Sequence, residues 1–88
     1  MFVQVTAVSP LHNYRILLTF RSDELKLFDV KPLMDTEPFS ALKDEILFKS
    51  ARIGFDKVEW RNGATLSSEI LYNGGVRVDR NYDDEDHT

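Results

Sequence analysis

Only two histidines, His12 and His87, and no cysteine stand among the 88 residues, so imidazole chemistry is scarce and thiolate chemistry is absent. A metal centre needs about three protein ligands held at fixed geometry, and neither histidine has neighbours spaced to supply them. His12 falls in a polar turn beside Pro10 and Asn13. His87 follows Asp83-Asp84-Glu85-Asp86, carboxylates that attract a divalent ion without fixing its geometry. Gly74-Gly75 runs into Val76-Arg77 rather than into the Lys-Ser or Lys-Thr of a phosphate-cradling loop. Ser9, Ser22, Ser40, Ser50, Ser67 and Ser68 lack the context of a nucleophile elbow, and a triad would have only His12 to draw on. The paired carboxylates Asp23-Glu24, Asp44-Glu45 and Asp35 with Glu37 fall at turns and helix starts, where solvation or the helix dipole explains them without acid–base work. The chain is therefore expected not to be an enzyme and to carry no cofactor.

What remains is recognition chemistry. Trp60 shares a strand face with Val58, which places the indole in the core, where it fills roughly 200 Å² or more of surface. A competing reading joins Trp60, Tyr72 and Tyr14 in an aromatic patch that anchors a protein partner, with Arg61 beside it, since Trp, Tyr and Arg dominate interface hot spots. The charge distribution supplies a second contact. Residues 1–78 hold ten bases and ten acids, and the last ten residues hold five acids and one base, so the net charge of −4 belongs wholly to the C-terminal end. Asp83, Asp84, Glu85 and Asp86 repel one another and offer little to bury, so residues 76–88 are expected to form a disordered acidic tail. That tail is either a solubility device or a segment that docks on a basic partner. A neutral body with an acidic tail argues against unaided nucleic-acid binding, which requires clustered Lys and Arg.

The elements that must position these residues are short. Phe2 to Val8 reads as a strand with Val3, Val5 and Ala7 on one face, ended by Ser9-Pro10. Tyr14, Ile16, Leu18 and Phe20 alternate with Arg15, Leu17, Thr19 and Arg21, the clearest period-two pattern in the chain. A polar turn at residues 21–24 leads to a third strand over 25–30, closed by Lys31-Pro32. Phe39, Leu42 and Ile46 then recur at helical spacing, with Pro38 suited to the first turn. Residues 51–55 and 57–61 resume the strand pattern, and Asn62-Gly63 is a strong turn dipeptide. Ser67 is placed to cap a second helix, with Leu66 and Leu71 at the two positions of a hydrophobic staple. The order β-β-β-α-β-β-α predicts an α+β fold: a mainly antiparallel sheet of about five short strands with two short helices on one face. One compact domain is expected over residues 1–75. The longest uninterrupted aliphatic run, Ile16-Leu17-Leu18, is far below the ~20 residues of a membrane-spanning helix. Without a basic leader at Met1-Phe2-Val3-Gln4 or any cysteine, the expected compartment is the cytoplasm.

Phe28-Asp29-Val30 with Pro32-Leu33, Phe39-x-x-Leu42, Phe48, and Val58-x-Trp60-x-Asn62-Gly63 with Leu66 and Leu71-Tyr72 together resemble the small bacterial family catalogued as domain of unknown function 2442, over about residues 3 to 73. The resemblance implies a compact α+β domain, often encoded beside another short family of unknown function in an arrangement like a toxin–antitoxin pair. The chain departs from the family pattern at Arg61, Thr65 and Ser68, where proline, aspartate and proline are common. No helix-turn-helix segment follows residue 75, so the DNA-binding role of longer relatives does not carry over. The expectation is a non-catalytic protein-interaction module, the neutralising member of a two-gene pair, engaging a small basic protein encoded nearby through Trp60, Arg61, Tyr72 and the run Asp83–Asp86. A regulatory DNA-associated domain is the alternative. Open sheet edges also admit a homodimer, against which Lys26 and Lys57 act as edge charges.

Overall fold

A computed structural model describes residues 3–82. The fold is α+β, as expected, but its strands are divided between two antiparallel sheets rather than gathered into one. β1 (Val5–Pro10), β2 (Arg15–Phe20) and β3 (Leu25–Asp29) form consecutive hairpins, and β7 (Val76–Val78) completes a four-stranded sheet in the order β1-β2-β3-β7. β4 (Arg52–Gly54), β5 (Lys57–Glu59) and β6 (Thr65–Ser67) form a second, three-stranded sheet. Two 3-10 turns, at Lys31–Leu33 and Phe39–Lys43, and the single-turn helix α1 (Glu45–Phe48) fill the chain between the two sheets. Helix α2 (Ser68–Gly74) returns the chain from β6 to β7.

The alternation along β2 is realised in full: Ile16, Leu18 and Phe20 are buried and set the centre of the core. Strand β1 departs from its expected phase. Val5 pairs with Phe20 but Ala7 with Thr19, so Thr6 is an extra residue, and this bulge turns Ala7 out to solvent while Val5 stays buried. A bulge shifts the two-residue period by one, so residues expected on one face fall on both.

The helical stripe of Phe39, Leu42 and Ile46 also breaks. The backbone leaves the helical region at Asp44 (ψ 114°), whose carboxylate accepts the Ile46 N–H at 3.0 Å and caps α1. Aspartate competes with the helix for backbone donors and favours a cap over a continuous turn. The new helix begins in a new phase, leaving Leu42 buried, Ile46 76% exposed and Phe48 turned into the core.

At the C-terminal side the expected cap is present: Ser67 Oγ accepts the Ile70 N–H at 3.2 Å, and Leu66 and Leu71 are both buried. The expected domain limit at residue 75 falls short. β7 pairs with β3, Leu25 opposite Val78 and Leu27 opposite Val76, so residues 76–78 are sheet and not tail. Three residues of alternation are too few to mark a strand until a free sheet edge receives them. The run Asp83–Asp86 lies outside the described residues.

One core serves both sheets, with Val5, Ile16, Leu18, Phe20 and Phe28 from the first and Val58 and Leu66 from the second. Ser68 ties them together as the one buried polar side chain among the described residues: its Oγ accepts the Val5 N–H at 2.9 Å, and its own N–H donates to Asp56 O at 3.2 Å.

Candidate functional site

Trp60 continues the line of β5 beyond Glu59, and its side chain follows Val58 inward. It is 3% exposed, and its Nε1–H donates to Phe48 O at 2.9 Å. The Phe48 ring lies 6.4 Å away at an interplanar angle of 29°, and Phe39 meets the indole edge-on, also at 6.4 Å. Tyr14 joins from the other side, edge-on to Phe48 at 5.2 Å, with its hydroxyl donating to Lys43 O at 2.6 Å. Trp60 and Tyr14 both pack on Phe48, and the indole lies in the core, as its strand face with Val58 leads one to expect, rather than in a contact patch with Tyr72. A tryptophan in a domain of this size fills the space between sheet and helix, and its one polar atom is used internally.

Tyr72 is elsewhere. Its ring stands edge-on to Phe20 at 5.2 Å, and its hydroxyl donates to both carboxylate oxygens of Glu24, at 2.9 and 3.1 Å. Lys26 Nζ sits 3.8 Å over the ring centroid and donates to Tyr72 O at 2.9 Å, while Ser22 Oγ donates to Glu24 at 2.8 Å. Arg77 of β7 approaches the same carboxylate at 3.9 Å. The hydrogen bonds from Ser22 and Tyr72, with the nearby charges of Arg77 and Lys26, hold the Glu24 carboxyl below its ordinary range. The same Tyr72–Glu24 hydrogen bond, with partial desolvation, pushes the phenol above its ordinary value. The arrangement fastens α2 and β7 onto the hairpin of β2 and β3. It is a structural clasp with its polar groups paired to one another.

Around the second sheet stand several exposed and half-exposed polar side chains and one exposed aromatic ring. Lys57 and Glu59 are half-buried beside the buried Val58, on the opposite face of β5. Arg52 stands across from Glu59 on β4, and its Nε and Nη2 both donate to Glu59 Oε1, at 3.1 and 3.0 Å. Gly54 makes room for this pair, because a Cβ there would collide with the Glu59 carboxylate. Arg61 is exposed, and its backbone N–H donates to Ser50 Oγ at 3.1 Å. Arg52, Glu59, Arg61, Ser50 and Thr65 line an open cleft of about 490 Å³. The turn that joins β4 to β5 lifts Phe55 to its tip, where the ring is 92% exposed. Asp56 completes that turn in the left-handed conformation (φ 59°), which aspartate tolerates better than most residues.

Of the residues singled out in the sequence, Trp60 is buried, Tyr72 is held in the clasp, and only Arg61 presents its side chain freely. Asp83, Asp84, Glu85 and Asp86 lie outside the described residues. Phe55 was missed because alternation with Arg52 and Gly54 assigned it to a strand interior; the signal was Asp56, which marks the turn one residue too late for Phe55 to remain in the strand. No group of three or more His, Asp or Glu side chains among the described residues is placed to hold a metal ion. Nor does any described helix have the length and apolarity to cross a membrane.

These features define a small two-sheet α+β domain whose singled-out aromatic side chains serve its own packing. The chain belongs to the family described as protein of unknown function (DUF2442), matched over residues 5–77. That span ends inside β7, which agrees with a structured body reaching past residue 75. No curated protein and no solved structure matches the chain.

Proposed function

We propose that this chain is a small non-catalytic protein-interaction module, acting in the cytoplasm as the neutralising member of a two-gene pair whose other product is a small basic protein. The observation that carries the reading is Phe55, an aromatic ring 92% exposed at the tip of a two-residue hairpin. A ring presented in this way costs solvation in the free protein and gains most when a partner pocket covers it. The hairpin is also well anchored at its base: Val58 is buried, Lys57 pairs with both Gly54 and Ser67, and Asp56 O accepts the Ser68 N–H. A rigid anchor loses little entropy on docking. The acidic run Asp83–Asp86 supplies complementary charge for a basic partner and steers its approach.

The test is capture from the native host with the tagged full chain, followed by mass spectrometry. Retention of one small basic protein at near-equal stoichiometry, weakened when Phe55→Ser or the quadruple change D83N/D84N/E85Q/D86N is introduced, supports the reading. If the full chain retains no partner, the paired-module reading falls.

A further inference from the structure

Charge is unevenly divided over the body even though the body sums to zero. On the outer face of the second sheet and its continuation stand Arg52, Lys57 and Arg61 against Glu59 alone, 3 − 1 = +2, whereas residues 1–78 as a whole are neutral. Glu59 is engaged through Oε1, which accepts both donors of the Arg52 fork. Lys57 and Arg61 have no acidic partner among the described residues. Arg61 borders the 490 Å³ cleft that it shares with Arg52, Glu59, Ser50 and Thr65, and Lys57 stands on the same face outside that cleft. A guanidinium such as that of Arg61 donates to a planar carboxylate through paired N–H groups.

The same chain carries the matching ligand. Asp83-Asp84-Glu85-Asp86 places four acids in succession, directly after Tyr82. Tyr82 itself lies at the first sheet, where Arg15 Nη1 of β2 donates to its hydroxyl at 3.5 Å. The run follows Tyr82 in the sequence, and the unpaired cations stand on the outer face of the second sheet, where a second copy can approach them. We propose that the acidic run Asp83–Asp86 of one copy seats on Arg61 and Lys57 of a second copy, in a head-to-tail contact.

The contact joins two different surfaces, so repetition builds a ring if the rotation closes and a short open chain if it does not. It is made of charges at the surface, Arg61 exposed and Lys57 half-buried, which makes it weak and strongly screened by salt. It rests on the reading of the acidic run as a docking segment: copies hold one another's run until a basic protein competes for it.

Sedimentation velocity of the full chain across a concentration series, at about 0.05 M and about 1 M salt, tests the proposal. Concentration-dependent association at low salt and a monomer at high salt are expected. Arg61→Glu is expected to weaken self-association about tenfold while leaving the melting temperature unchanged, and the full-length D83N/D84N/E85Q/D86N variant is expected to be a monomer. Combining R61E with D84K and D86K in one full chain restores association, an outcome that a merely destabilised fold cannot give. A wild-type chain that stays monomeric at low salt, or an association that R61E leaves unchanged, overturns the proposal. So does a monomeric chain whose Arg61 face instead binds duplex DNA, which would assign that face to a polyanion. Failure to capture a basic partner from the host would leave these results untouched, so the two readings fall separately.

Discussion

Trp60 follows the buried Val58 of a strand by two residues and Tyr72 follows the buried Leu71 directly in a helix, yet the fold uses these two large aromatic residues in opposite ways. Trp60 turns its whole ring inward, stacks on Phe48 and spends its only donor on the Phe48 carbonyl. Tyr72 buries one edge against Phe20 and keeps its hydroxyl on a surface carboxylate, with a lysine over the ring. The indole is a packing element whose loss would hollow the core. The phenol is a clasp whose strength depends on charge. Neither is free for a partner, and the comparison shows that aromatic type and spacing alone do not separate an interface residue from a structural one.

The largest effect should come from the indole. Trp60→Ala removes a ring packed against Phe39 and Phe48 and is expected to cost about 3–5 kcal/mol, read as a shift in the urea midpoint at unchanged slope. Trp60→Phe keeps most of the volume but leaves the Phe48 carbonyl without its donor, so a smaller loss of about 1–3 kcal/mol is expected. Equal and near-zero losses for the two would place the indole outside the core and remove the contrast with Tyr72.

A smaller effect is expected at the junction of the two sheets. Ser68→Ala leaves the Val5 N–H buried without an acceptor, at a cost of about 1–3 kcal/mol, or roughly 4–8 °C in melting temperature for each kcal/mol in a domain of this size. Protection of the Val5 amide in hydrogen exchange should fall with it. An unchanged melting temperature would mean that the junction is held by apolar contacts alone.

The clasp is distinguished by its pH dependence. Glu24 has a folded pKa lowered from its ordinary value of 4.5, so its contribution is complete above that value and is lost as pH falls through the lower folded one. Tyr72 has a folded pKa raised from 10.0, so its contribution is complete below that value and is lost as pH rises through the higher folded one. Tyr72→Phe should flatten the stability profile on both flanks, and Trp60→Phe should displace the whole profile without changing its shape. Parallel profiles for wild type and Tyr72→Phe would show that the hydroxyl contributes nothing to the clasp.

How far such distinctions were legible depended on the length of the pattern. Six residues of β2 alternate cleanly, and every inward position, Ile16, Leu18 and Phe20, was readable from spacing. The Ser67 cap with its flanking leucines was equally plain, because capping is a local interaction. β7 was not legible: Val76–Val78 becomes a strand only because β3 leaves an edge for it, a non-local cause. The bulge at Thr6 and the restart at Asp44 each slip a periodicity by a fraction of a turn or strand, which moved Ala7 and Ile46 to the surface. The division into two sheets escaped for the same reason, since strand periodicity says nothing about which strands pair. At the candidate surface, Arg61 was found by its type, whereas Phe55 was hidden by an alternation that ended one residue earlier than it seemed to in the sequence.

We propose that docking runs through Phe55 at the hairpin tip and not through the buried indole of Trp60. It is tested most directly by copurifying the partner with Phe55→Ser and with Trp60→Phe while measuring the melting temperature of each. The account predicts that Phe55→Ser melts with wild type and retains at least about tenfold less partner, whereas Trp60→Phe melts lower and, where folded, retains the partner in full. Full retention by Phe55→Ser, with loss confined to folded Trp60→Phe, would contradict it.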